Sequence, residues 1–389
     1  MKHLPSVATA LLLLAPAALV SSCSESASDD GGSGDASSGG ETPDALAVDD
    51  DSSTTDVDED DLDVAPEPVT RFRFEPLELT DVPPMWGAIT AGPLLVGGVD
   101  GLQKVREGVF SAKFSPGGAS ARPVGVLDMP RYCACAIADM GRNTLLVIGG
   151  RDAAFVDAPS ASLVDLTAGT SEPVDDAGAA DYPVGCSAFF SPPKDLGYVY
   201  GGLSGAKQAF SATTHRWDPV AGTLTALEVA GPPGRYDASV RVMNDGDALL
   251  VSGMGLASGV VFYQDLWRFD VDTETWGEII PVSTERPPGR RYGWSALSPD
   301  ESILVYGYGS DAPNGSSVLG DMWAFTFATG QWAPLDLDGE LPAPRGFMPN
   351  WQIGGDDAGI LAFGSEENLN VYDDAYILKV PDDLRGAWH

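Results

Sequence analysis

The side chains best suited to hold a ligand recur at one place in a repeated phrase. Arg131-Tyr132, Arg235-Tyr236, Arg290-Arg291-Tyr292 and Arg345-Gly346-Phe347 each follow a proline directly or across one glycine, and Trp86 follows Pro83-Pro84-Met85. Guanidinium forks suit carboxylates, and aromatic faces suit sugar rings or peptide side chains. The candidate ligand-binding set is therefore Arg131, Arg235, Arg290, Arg291 and Arg345 with Tyr132, Tyr236, Tyr292, Phe347 and Trp86. The competing use of each arginine is structural, paired with an aspartate of a neighbouring repeat such as Asp265, Asp321 or Asp374.

Catalytic groups are scarce. Of the three histidines, His3 falls in an export segment, His389 is the last residue, and His215 stands where Trp267 and Trp323 stand in other repeats. A packed histidine explains His215 better than a ligand does. The chain contains no Gly-x-Ser-x-Gly, His-Glu-x-x-His or phosphate-loop motif. No catalytic residue, metal or cofactor is expected. Cys133 and Cys135 alternate on one predicted strand and Cys186 lies on the equivalent strand of the next repeat. A Cys186 bridge to one of the pair suits an oxidising exterior. Aligning the repeats puts Cys186 out of phase with both, and buried thiols are the alternative.

The elements that must position these residues announce themselves by period. An apolar run ending on glycine occurs six times, with glycines at 97, 149, 201, 253, 307 and 364. A step of about 50 residues marks an array of one supersecondary unit. Each unit reads as four short strands. In the fifth these are Arg291–Leu297, Ile303–Gly307, Asp321–Phe325, with alternation at period two, and a strand opened by Trp332, separated by turns at 298–300 and 328–330. The predicted fold is all-β with radial repetition, which hides strand edges.

The apolar run into a glycine doublet, the aromatic residues at set offsets, and the linkers Pro-Pro-Gly-Arg-Tyr (232–236), Pro-Pro-Gly-Arg-Arg-Tyr (287–292) and Pro-Ala-Pro-Arg-Gly-Phe (342–347) resemble the kelch family over residues 70–389. The resemblance implies a six-bladed β-propeller of four-stranded antiparallel blades. It also implies that the linker arginines look inward on a mouth where inter-blade loops gather. Only the first three units keep the full doublet, and the late tryptophan survives in two. Copper-radical oxidases share the kelch propeller, and likeness to them implies a two-His, two-Tyr site that this chain cannot build. The sixth unit stops after its third strand, and Arg71–Leu77 precedes Pro83-Pro84 as Trp276 precedes Pro287-Pro288. The N-terminal strand is thus expected to complete the last blade.

The ends and the charge complete the reading. Lys2, a short apolar run from Ala10 to Val20, and Val20-Ser21-Ser22-Cys23 predict a signal over residues 1–22. The last four residues resemble a lipobox, which implies lipidation of Cys23, and Ser24 favours the outer membrane. Residues 24–68 hold sixteen Asp or Glu and no Lys or Arg, so residues 23–68 are expected to form a disordered acidic tether. Residues 69–389, the propeller, carry 21 Lys or Arg against 41 Asp or Glu, which argues against nucleic acid and against an anionic membrane surface. Three functions follow as alternatives. The first is an envelope-tethered module that binds a protein or carbohydrate partner, its only membrane contact the lipid anchor. The second is a propeller resembling kelch mutarotases of acidic sugars, for which Glu285 and Asp237 lie near the right linker. The third is a purely structural envelope protein.

Overall fold

The computed structural model describes residues 71–388, apart from 116–117, 159, 175–182, 205–208, 354–356 and 367–369. The expected signal, Cys23 and the acidic tether lie outside these residues, as does His389. The regular structure of the described residues is almost entirely β-strand, with one short helix at Arg385–Trp388. No helix among the described residues is long and apolar enough to cross a membrane.

Each unit of the sequence becomes one antiparallel sheet. Sheet 1 runs Ile89–Ala91, Leu94–Val96, Gly108–Ser115 and Gly118–Val126; sheet 2 runs Cys135–Asp139, Thr144–Ile148, Ala161–Asp165 and Thr170–Val174. Sheet 3 is Ser187–Ser191, Leu196–Tyr200, Thr214–Asp218 and Thr223–Leu227, and sheet 4 is Ser239–Val242, Ala248–Val251, Leu266–Asp270 and Thr275–Ile279. Sheet 5 is Trp294–Leu297, Ile303–Gly307, Met322–Thr326 and Gln331–Pro334. Sheet 6 has Asn350–Gln352, Asp357–Ala362 and Ala375–Lys379 from the end of the chain, and its fourth strand is Phe72–Pro76, antiparallel to Ala375–Lys379. Phe74 is the reason that strand stays. It is buried edge-on against Tyr308 and Tyr376, with ring centroids 5.9 and 6.3 Å away.

The outer edges of sheets 6 and 1 each carry one more short strand. Leu337–Gly339 adds a parallel strand outside Phe72–Pro76, and Leu79–Thr80 does the same for Gly118–Val126. Each replaces a longer edge with one of two or three residues, too short to pair readily with another chain.

The core is distributed between sheets. Leu94, Val96, Ala134 and Val147 pack sheet 1 on sheet 2; Ile148, Val199 and Trp217 pack sheet 2 on sheet 3. Tyr198 and Phe269 join sheets 3 and 4, Leu249 and Phe325 join 4 and 5, and Trp294 and Leu378 join 5 and 6. Leu95 and Ala112 of sheet 1 then meet Ile360 and Phe363 of sheet 6. Coverage on both faces explains one departure from the sequence reading. Second strands such as Ile303–Gly307 are buried at every residue, and third strands such as Met322–Thr326 bury the first and fourth residues instead of alternating at period two.

A second departure concerns register. The residue pairs equivalent to Gly97-Gly98, Gly149-Gly150 and Gly201-Gly202 are Ser252-Gly253, Tyr308-Gly309 and Phe363-Gly364, so Gly307 is not the fifth member. The second glycine of each pair donates its amide to a carbonyl of the next sheet's linker. Gly98 binds Arg131, Gly150 Pro183, Gly202 Arg235, Gly253 Arg290, Gly309 Arg345 and Gly364 Met85, at 2.7–3.3 Å. The first residue has positive φ throughout. A Cβ on Gly97 or Gly149 would lie 2.1 Å from the carbonyl oxygen of Arg131 or Pro183. The doublet is therefore the place where one sheet's backbone touches the next.

Candidate functional site

Each linker delivers three residues with fixed roles: Met85-Trp86-Gly87, Arg131-Tyr132-Cys133, Pro183-Val184-Gly185, Arg235-Tyr236-Asp237, Arg290-Arg291-Tyr292 and Arg345-Gly346-Phe347. The third residue has left-handed φ in all six, between 49 and 63°. The amides of Gly87, Cys133, Gly185, Asp237 and Tyr292 donate to the carbonyls of Phe347, Gly87, Cys133, Gly185 and Asp237 at 2.7–3.0 Å. This turn also shortens the first strand of sheet 5, which begins at Trp294 and not at Arg291. The turn, not the side chain, sets the position, so Asp, Tyr and Phe are accepted where glycine would be easiest.

The first residue of the triplet carries the arginines, and they turn into their own sheets. Arg235 forks onto Asp265 at 2.6 and 2.7 Å, donates to the Ser252 carbonyl at 2.8 Å, and lies over the Tyr263 ring at 4.0 Å. Arg290 forks onto Asp321 at 2.7 Å twice and reaches the Tyr308 carbonyl at 2.9 Å. Arg345 forks onto Asp374 and lies over Tyr372 at 4.0 Å. Arg131 binds Ser162 at 2.7 Å and Asp128 at 3.3 Å, with the Gly149 and Ser160 carbonyls. All four guanidiniums are fully buried. A buried cation requires an acid and full hydrogen bonding, and the indoles of Trp267 and Trp323 brace Asp265 and Asp321 at 2.8 and 2.7 Å. Sheet 3 lacks the whole device, with Pro183, Thr213 and His215 in these places.

The remaining candidates are gathered at the centre. Arg291 takes the middle, aromatic place of its triplet and is fully buried. It meets Asp237 at 3.0 Å, the Tyr292 hydroxyl at 2.7 Å and the Pro313 carbonyl at 2.5 Å. Its guanidinium lies 4.6, 4.4 and 5.3 Å from the rings of Tyr236, Tyr292 and Phe347. Trp86 packs edge-on against Tyr132 and Phe347, and the Cys133 sulfur contacts the Tyr292 hydroxyl at 3.5 Å. These residues form a packed plug rather than an open mouth, with Tyr292 only partly buried and the others buried. Asp237 belongs to this plug, whereas Glu285 is exposed on the linker after sheet 4, so the structure does not bring them together as an acid and base.

A cavity of about 770 Å³ begins at the plug and runs between the first strands to the hairpin tips at Met140–Arg142 and Pro192–Asp195. Cys135 and Cys186 line it and are joined as a disulfide, with Cα atoms 5.5 Å apart, and Cys133, which lines it too, is buried and lies outside the bridge. The out-of-phase alignment of the cysteines did not forbid the bridge, because neighbouring first strands lie side by side with a stagger. Cα separation decides a disulfide, not repeat register.

One lining residue was invisible in the sequence. Arg241, on the first strand of sheet 4, donates to the Ser295 hydroxyl at 2.9 Å, the Ser295 carbonyl at 2.5 Å and the Asn350 carbonyl at 3.3 Å. Burial pushes its pKa down to about 9. Among the described residues, no group of three or more His, Cys, Asp or Glu could hold a metal ion.

Residues 192–385 match the KLHDC2/KLHL20/DRC7 Kelch-repeats domain. Over 135 residues, 34% of this chain, it is 29% identical to the leucine-zipper-like transcriptional regulator 1 homolog of Drosophila melanogaster, covering 13% of that protein. Over 159 residues, 39% of the chain, it is 28% identical to Kelch domain-containing protein 10 of Xenopus laevis, covering 36% of it. The human Kelch domain-containing protein 10 is 25% identical over 155 residues, 38% of this chain and 33% of its own length. The chain thus spans little more than a third of these relatives at most. Matched segments, sheets of four strands and the glycine contacts between them agree: this chain is a kelch-repeat protein.

Proposed function

We propose that this chain is a non-enzymatic binding module of the cell envelope. In this reading residues 69–389 are a six-bladed propeller closed by strand Phe72–Pro76, residues 23–68 are the acidic tether, and Cys23 carries a lipid once the signal is removed. The glycine amides passing from sheet to sheet and back to Met85 support closure. A disulfide in the cavity wall supports export to an oxidising compartment. The observation that carries the function is that the same connection exposes apolar side chains in three of the sheets. Leu102, Val156, Leu256 and Val260 lie on the connections between second and third strands of sheets 1, 2 and 4, and are 88, 55, 48 and 42% exposed. Antiparallel topology puts those connections at the end of the sheets where the plug sits. Scattered exposed aliphatics mean little, but a recurrent set on one face marks a protein contact.

The test is in-cell crosslinking followed by pull-down and mass spectrometry. The comparison is between the native chain, Leu102→Glu with Val156→Glu, and a control with Ile280→Glu and Val282→Glu on an outer linker. A partner retained by the control and lost by the loop variant supports the reading. Identical proteins from all three would remove the loop face from it. Recovery of no protein from the native chain would turn the search to glycans.

A further inference from the structure

We propose that the cavity between the first strands is a binding site for a small organic carboxylate, anchored by Arg241. The buried arginines of the described core have acids: Arg131 has Asp128, Arg151 Asp157, Arg235 Asp265, Arg290 Asp321, Arg291 Asp237 and Arg345 Asp374. Arg241 differs from all of them. Its three acceptors are neutral oxygens, they engage Nε and Nη2, and among the described residues no carboxylate lies within 4 Å and Nη1 has no acceptor. A guanidinium held on one edge in a confined space leaves its other edge for an anion.

The surroundings fit the rest of such a ligand. Ser239, Ser295 and Asn350 form a hydrogen-bonded polar wall beside Arg241, with Ser239 Oγ and Ser295 Oγ 2.6 Å apart. Ala136, Ala188 and Phe190 line the cavity from sheets 2 and 3. A volume of about 770 Å³ lies in the range of sites for small molecules. At the exposed end Arg142 is already tied to Asp139 and Asp195, so Arg241 is the guanidinium left to receive an anion. The strongly acidic body disfavours polyanions, which leaves a monoanion with a compact body as the class. The site opens at the end opposite the apolar loop tips, and the two proposals stand or fall separately.

Isothermal titration of the full chain with acetate, pyruvate, benzoate and glucuronate, and separately with inorganic phosphate and sulfate, tests the assignment. At least one carboxylate should bind saturably at one site. Its affinity should fall about ten- to hundred-fold in Arg241→Met, the worth of a charge-assisted hydrogen bond. The near-isosteric Asn350→Asp places an acid beside Arg241 and should give a comparable loss while keeping the native melt, so the test survives if Arg241→Met does not fold. Undiminished binding in either folded variant, binding of phosphate or sulfate alone, or no binding of any carboxylate would overturn the proposal.

Discussion

Arg235 and Arg241 belong to the same linker and strand, yet their electrostatic situations are opposite. Arg235 is enclosed and answered by Asp265, so Arg235→Met would strand a carboxylate that is largely buried. The expected loss is about 3 kcal/mol in a urea titration. Arg241 has no acid, its charged form is disfavoured by burial, and Arg241→Met should raise ligand-free stability at pH 7 by about 1 kcal/mol. A drop in stability there would mean that the three neutral acceptors outweigh desolvation. Asp321 supplies a pH signature. Burial alone would raise its pKa, but the Arg290 hydrogen bonds and charge and the Trp323 indole outweigh that and hold it below the ordinary carboxylate value. Its stabilising contribution is present above the unfolded carboxyl's pKa and lost as pH falls through the lower folded one. The stability gap between the native chain and Asp321→Asn should therefore be open at pH 7 and closed near pH 2. The arginine–aspartate pairing was legible in the sequence as one of two uses for those arginines, since both partners repeat with the period, but it was expected between neighbouring repeats and is made within one sheet. Arg241 was not legible. Its singularity is the absence of an acid, and its neighbour Asn350 is 109 residues away, so only the assembled sheets reveal it.

At the scale of elements, the glycine doublet and the disulfide are both junctions between sheets, and each yields a contrast. Gly149→Ala places a Cβ 2.1 Å from the Pro183 carbonyl oxygen, which is backbone and cannot turn away. Gly92 has a similar φ, 57 against 62°, but nothing within 4 Å of the added atom. Gly92→Ala should cost about 1 kcal/mol of left-handed strain. Gly149→Ala should cost at least twice that in parallel thermal melts, and equal losses would show that φ and not contact explains the doublet. The bridge between Cys135 and Cys186 closes a loop of 51 residues, for which chain entropy gives about 4 kcal/mol. Over a folded body of this size that corresponds to a fall of about 6 °C on reduction or in Cys135→Ala with Cys186→Ala. The doublet and the repeat of about 50 residues were readable because a junction repeated six times leaves a repeated trace. The bridge occurs once, and its stagger between adjacent strands has no counterpart in an alignment of repeats. The left-handed residue of each linker also escaped, because Cys133, Asp237, Tyr292 and Phe347 share a backbone conformation and not a residue type.

For the molecule as a whole, the question with the most consequence is whether the sheets fold as one cooperative ring or as an open array. Solenoid-like arrays lose stability locally, sheet by sheet, since each unit touches only its neighbours. A closed propeller has no end from which to fray. Phe72–Pro76 joins residues from the two extremes of the described chain, and Phe74 is the side chain that fastens it. Phe74→Ala removes a buried ring and should cost about 3–5 kcal/mol. In a closed ring that loss must be shared: amide exchange should accelerate in sheet 1 and sheet 6 together, because Leu95 and Ala112 pack on Ile360 and Phe363 only while sheet 6 stays assembled. The melt should shift as a single transition. Exchange that accelerates in sheet 6 alone, with an early and separate melting step, would describe an open array whose last sheet peels off. The outcome also bears on the cavity, whose wall includes first-strand residues from sheet 1 and sheet 6. Loss of closure would open the Arg241 site to bulk water, and carboxylate binding by Phe74→Ala should weaken in step with exchange at Asn350.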